Sequence, residues 1–149
     1  MSARKTSLEE LLRSRAIRRV RPDHALALKS IARSRRDIDT ARTLIANAKF
    51  DWSLAVSYNA MLAAARALML ERGFRPSSTD GHVAVMRFLQ VTLGSEVSER
   101  MIMAMNGMRK KRHRIVYEEM DIVSRDEAER AVEWAEEFVE MINGIIRQT

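Results

Sequence analysis

Six cations and no carboxylate fall between Arg100 and Arg114: Arg100, Arg109, Lys110, Lys111, Arg112 and Arg114. Arginine forks clasp phosphate through paired hydrogen bonds, and lysines add point charges. His113 and Tyr117 sit in the same run and supply an imidazole and a phenol, groups that hold or move a proton. On a continuous helix Arg109 and His113 lie about 40° apart, as do His113 and Tyr117. The expected unit is a compact cationic pocket. Arg112, His113 and Tyr117 are its catalytic candidates. Arg109, Lys110, Lys111 and Arg114 are its candidates for phosphate or nucleotide binding. The plainer alternative is electrostatic packing. Ten acids and two cations occupy Glu118 to Glu140, so a basic helix end can lie beside an acidic helix, with its own C-terminal dipole favouring the cations.

Other chemistries find no support in the sequence. It contains no GxGxxG, Walker A or HExxH pattern. Glu-x-x-His pairs of the bundle di-iron kind are missing. His24, His82 and His113 are too widely spaced to suggest a metal set, and His82, near a helix start, reads as a capping or packing residue. Without cysteine there is no thiolate ligand, no disulfide framework and no sulfur nucleophile. The expectation is a chain with no metal and no cofactor.

These residues need elements to position them, and the composition favours helices. In 149 residues there are only 5 Gly and 2 Pro, against 10 Met. Ser7 with Glu10 reads as a capping box opening a short helix whose stripe runs through Leu8, Leu11, Leu12 and Ile17. Arg21-Pro22 breaks the chain, and Asp23 caps a helix from His24 to about Lys49. Asp51 is the expected cap of Trp52–Arg72, with Gly73 at its C′ position. A loop over 75–81 leads to a shorter helix from His82 to Leu93, ended by Gly94. Ser95 is the expected start of the next helix, with an interruption at Asn106-Gly107. Ser124 and Glu127 form a second capping box ahead of the last helix. No strand-like alternation of useful length appears. The fold class is all-α: an up-and-down four-helix bundle with an additional short N-terminal helix.

Residues 1–36 hold eleven cations and three carboxylates, a net +8, so the rest of the chain carries −2 of the overall +6. The basic balance belongs to that segment, and basic runs more often form solvated faces than polyanion sites. Residues 1–22 are read as a basic N-terminal segment and 23–149 as the bundle. The N-terminus lacks an apolar leader pattern. The longest apolar stretch, Ala60–Ala65, is far short of a membrane span. A cytoplasmic protein with no membrane partner is expected.

Several segments together resemble the HEPN domain family, small all-helical domains often found beside minimal nucleotidyltransferases in prokaryotes. Ser57-Tyr58-Asn59-Ala60-Met61 resembles the family's aromatic-rich second helix. Glu71-Arg72-Gly73-Phe74, a loop and His82 resemble its next turn. Arg112-His113-Arg114-Ile115-Val116-Tyr117 lies where the family carries an Arg-x4-6-His motif. The run from Asp126 to Phe138 resembles its last helix. Members active as ribonucleases usually read Arg-Asn-x-x-x-His. Here His113 stands at the Asn position, Tyr117 at the His position and Glu119 at a following Tyr position. Tyrosine, with a reference pKa near ~10, is a poor base at neutral pH.

The resemblance implies a homodimer that pairs with a nucleotidyltransferase-type partner and binds nucleotide or RNA phosphate at a basic cleft. Its alternative implication is a metal-independent endoribonuclease toxin of a toxin–antitoxin pair, with weak or no activity because Tyr117 replaces the motif histidine. Met101, Met103, Met105 and Met108 are more apolar positions than one helix face buries, which also favours a dimer contact.

Overall fold

The computed structural model describes residues 7–78 and 81–148. Among them the chain forms α1 (Leu8–Arg13), β1 (Ile17–Arg19), α2 (His24–Ala46), α3 (Phe50–Glu71), β2 (Phe74–Pro76), α4 (His82–Leu93), a 3-10 turn (Gly94–Glu96), α5 (Glu99–Tyr117) and α6 (Arg125–Arg147). The all-α bundle expected from the sequence is present: α2, α3, α5 and α6 pack around one core, and α4, between α3 and α5 in the chain, packs against α3 and α1.

Cross-helix bonds fix the directions. Ser53 donates to the Ala41 carbonyl and Ser34 to that of Ala60, so α2 and α3 run antiparallel. Arg35 binds Glu140 at 2.9 Å and Arg42 binds Glu136, so α6 also opposes α2. Lys111 reaches Glu127 at 3.2 Å, tying the end of α5 to the start of α6.

Helix α3 is 22 residues long and apolar enough in length and composition to cross a bilayer, which differs from the expectation that no such run exists. Its hydropathy serves the bundle interior. Leu54, Tyr58, Met61, Leu68 and Met69 are all buried among α2, α5 and α6.

Three N-caps match the sequence reading: Ser7 for α1, accepting from the Glu10 N–H, Asp23 for α2, and the reciprocal Ser124–Glu127 box for α6. Two do not. Lys49 precedes α3 without a side-chain cap. Asp51, inside the first turn, instead accepts the backbone N–H groups of Asp121, Ile122 and Val123 at 2.7, 3.1 and 3.0 Å. This long-range cap holds the α5–α6 loop across the bundle end. Replacing Asp51 with alanine is expected to destabilise the fold by ~1–2 kcal/mol, since one carboxylate satisfies three donors. Urea unfolding of the variant measures it, and an unchanged midpoint would remove this role. The start of α5 also moves: Gly94 takes a positive φ into the 3-10 turn, and Ser98 caps α5 by accepting from Met101. Asn106-Gly107 leaves α5 unbroken, because Gly107 faces open space and Asn106 accepts from the Arg109 guanidinium.

Ile17 was expected on the α1 stripe, yet it lies in β1, which pairs antiparallel with β2 in the register Ile17↔Pro76, Arg18↔Arg75 and Arg19↔Phe74. Strands of three residues are too short to show alternation, and the partners are far apart in sequence. Gly73 permits the pairing. Its φ is +85°, and a Cβ there would meet the Val20 carbonyl at 3.0 Å and the Pro22 ring at 3.1 Å. Through this strand and Leu11 the N-terminal segment enters the same core as the bundle.

Candidate functional site

Helix α5 sorts the cationic run by angle. Met105, Met108 and Ile115 are its buried positions here, and Arg112 lies within about 60° of each. His113 is about 100° and Tyr117 about 140° round from Arg112. Burial follows: Arg112 is half-buried, whereas His113 is exposed and Tyr117 is 71% exposed. The rings of His113 and Tyr117 lean on each other at 4.9 Å on the outer face. The sequence reading put Arg112, His113 and Tyr117 in one pocket. The structure separates the arginine from the other two.

The remaining cations divide in the same way. Arg114 is exposed and held by Glu119 at 3.0 Å; these bonds raise its pKa further. Lys111 is engaged by Glu127, and Lys110 faces solvent. Arg109 is half-buried, with two of its nitrogens on the Asn106 amide oxygen at 3.1 and 3.0 Å.

The charge of Arg112 acts on a buried group that the sequence reading did not select. Tyr58, in the buried middle of α3, has no exposed surface. Its hydroxyl lies 2.6 Å from His82 Nδ1, and the two rings stack with centroids 5.7 Å apart and planes 8° from parallel. His82 therefore packs as expected from the sequence, and its companion is this phenol. Burial pushes the Tyr58 phenol up to about 12, against the opposing pull of Arg109, Arg112 and Arg66. The phenol stays protonated at neutral pH and can donate to Nδ1, which leaves the imidazole proton on Nε2.

Three guanidinium groups thus act on one neutral phenol, and among the described residues none of the three is ion-paired to a carboxylate. The Arg112 Nε is buried and has no hydrogen-bond partner; Ser57 Oγ, adjacent to Tyr58 in sequence, is buried and equally unpartnered. Buried polar atoms are almost always satisfied, and a half-buried cation without an acid favours an incoming anion. A wider groove lies elsewhere, between α1, α4 and the start of α5. Leu8, Val91, Val97 and Ile102 make it largely apolar, and its one described cation, Arg87, is matched by Glu99, so it holds no excess positive charge for an anion.

Position 82 could have been found from the sequence by asking what a histidine at a helix start packs against. Tyr58 had a weaker signal, a polar ring inside the most apolar helix. No curated protein gives a significant match to the chain. The family model described as HEPN domain matches residues 27–145, which covers α3, α4, α5 and nearly all of α2 and α6, so the chain belongs to the HEPN domain family.

Proposed function

We propose that this HEPN domain is a cytoplasmic homodimeric module that pairs with a nucleotidyltransferase-type partner and binds RNA or nucleotide phosphate at Arg109 and Arg112. The observation that carries the reading is the half-buried Arg112, its Nε unpartnered, whose charge acts on the protonated Tyr58 of the Tyr58–His82 pair. An arriving phosphate oxygen completes the hydrogen bonding of that guanidinium and neutralises the adjoining Arg109. Binding driven by such contacts falls steeply with salt. Titrating labelled single-stranded RNA at low and high salt tests it, and affinity indifferent to salt would contradict it.

The dimer part draws on exposed apolar surface at one end of the bundle. Tyr117 and Met120 are 71% and 82% exposed, and Val116 lies beside them at the α5 terminus. Trp52, 54% exposed, follows the Asp51 that grips the next loop. Of the four methionines, Met101, Met105 and Met108 are buried in the protomer's own core, which leaves Met103 on the surface. Sedimentation is expected to show a dimer at micromolar concentration, dissociated by Met120→Glu with Val116→Glu. A wild-type monomer at that concentration rules the dimer out.

The nuclease alternative draws on one observation: the His82 imidazole lies 2.6 Å from the Tyr58 hydroxyl, on which the charge of Arg112 acts. In that reading the Tyr58–His82 bond runs the other way, with Nδ1–H donating to the phenol oxygen, so that Nε2 takes the 2′-OH proton while the 2′-oxygen attacks the adjacent phosphorus and the 5′-oxygen leaves protonated by water. Cleavage that survives chelator, needs His82 and ignores Tyr117→Phe would establish it.

A further inference from the structure

A cavity of about 490 Å³ opens where the strand pair meets α2 and α3. Arg18, Arg66 and Arg75 line it over an apolar floor that includes Leu26 and Leu70, and no described carboxylate contributes. Arg18 and Arg75 are directly opposite in the strand register. Like charges so placed repel each other. Alternation sends both to the face away from Ile17 and Phe74, which are buried. Among the described residues none of these three arginines is ion-paired, whereas exposed Arg35, Arg42 and Arg114 each hold a glutamate. Ser77 and Ser78, next to the strand end, add hydroxyl donors.

We propose that this cavity binds a terminal phosphate, the dianion carried by a nucleoside monophosphate or by the 5′ end of an RNA strand. A terminal phosphate brings about −1.5 to −2 charges at neutral pH and three acceptor oxygens. Those match three guanidinium forks and relieve the Arg18–Arg75 repulsion. A backbone phosphodiester brings one charge and needs a track. This cavity is short, within the roughly 300–1,000 Å³ usual for small-molecule sites. Leu26 and Leu70 offer apolar surface to the body of the nucleotide. Arg18 precedes the family-matched residues 27–145, so the site depends on a strand contributed from outside that match.

The test uses the full chain, with uridine 5′-monophosphate, uridine, and one short RNA carrying either a 5′ phosphate or a 5′ hydroxyl. Calorimetry is expected to show that the monophosphate binds and uridine does not, or that the 5′ phosphate tightens the RNA. The first result identifies a free nucleotide and the second an RNA end. In either case the Arg18→Ala/Arg75→Ala variant weakens the effect at least tenfold, and Arg35→Ala does not. Both arginines of the double variant are exposed and mutually repelling, so its melting temperature should not fall. Arg75→Gln alone provides a milder second variant. Binding of the 5′-hydroxyl RNA reports the Arg109–Arg112 reading, so the two ideas fail separately. The proposal is overturned if neither phosphate probe binds, or if the double variant binds as well as wild type.

Discussion

Replacing Arg112 with alanine is expected to weaken RNA binding by about 100-fold or more, with no loss of fold stability. A charge-assisted hydrogen bond contributes ~1.5–3 kcal/mol, and one forked guanidinium makes two of them to a phosphate. The wild-type side chain gives nothing comparable to the unliganded fold. Its Nε is buried without a partner, and its charge adds to those of Arg109 and Arg66 around Tyr58. Removing it takes away an unsatisfied atom and a like-charge repulsion. Arg112→Lys keeps the charge but loses the fork, so it belongs between the two. Fluorescence anisotropy with single-stranded RNA, alongside a thermal melt, measures both halves. The loss of one phosphate contact should also lower the slope of log affinity against log salt by about 0.7. Wild-type affinity in Arg112→Ala would show that this arginine is not the phosphate clamp.

The Tyr58 phenol should stay protonated up to about pH 12, and the fold should weaken as pH rises from 10 toward that value. The unfolded phenol releases its proton near its ordinary value of 10.0, while burial holds the folded one up to about 12. Between these values the unfolded state binds fewer protons than the native state, so stability falls with rising pH. The contribution is fully present below about pH 10. Its loss amounts to about 2–3 kcal/mol, from 1.36 kcal/mol per pKa unit. The chain has 2 tyrosines, so in Tyr117→Phe the phenolate absorbance reports Tyr58 alone. Denaturation at pH values on either side of 10 should show a steeper alkaline decline in wild type than in Tyr58→Phe. A phenol that ionises near 10 in the folded protein defeats the account.

The parts of this architecture that are local in sequence were legible in the sequence. The Asp23 cap and the Ser124–Glu127 box rest on neighbours three residues apart, and both appear where spacing placed them. Interactions that join distant residues were not legible. Asp51 looked like a helix cap because its type suits one, yet its partners lie some 70 positions away. Trp52 is 54% exposed although α3 is buried nearly all round, so no apolar stripe along that helix separates it from its buried neighbours. At the site, the sequence supplied Arg112 and Arg109 as cations of one run. It could not divide the inward from the outward residues of α5 until the buried positions were known. Tyr58 and His82 come together only through the packing of α3 with α4, which no spacing encodes.

The interior position of α3 also bears on how the chain is made. The helix that completes its cover, α6, begins at Arg125, 54 residues after α3 ends at Glu71. At ~5–20 residues per second, roughly 3–10 s separate the synthesis of the two. During that interval α2 is already made and can shield one side of α3, while the side destined for α6 has nothing to pack against. A 22-residue apolar helix left open in this way presents the nascent chain with the surface that chaperones and membranes compete for. The acidic outer face of α6 and the charged flanks of α2 then convert a segment with the length and composition of a membrane anchor into the centre of a folded domain.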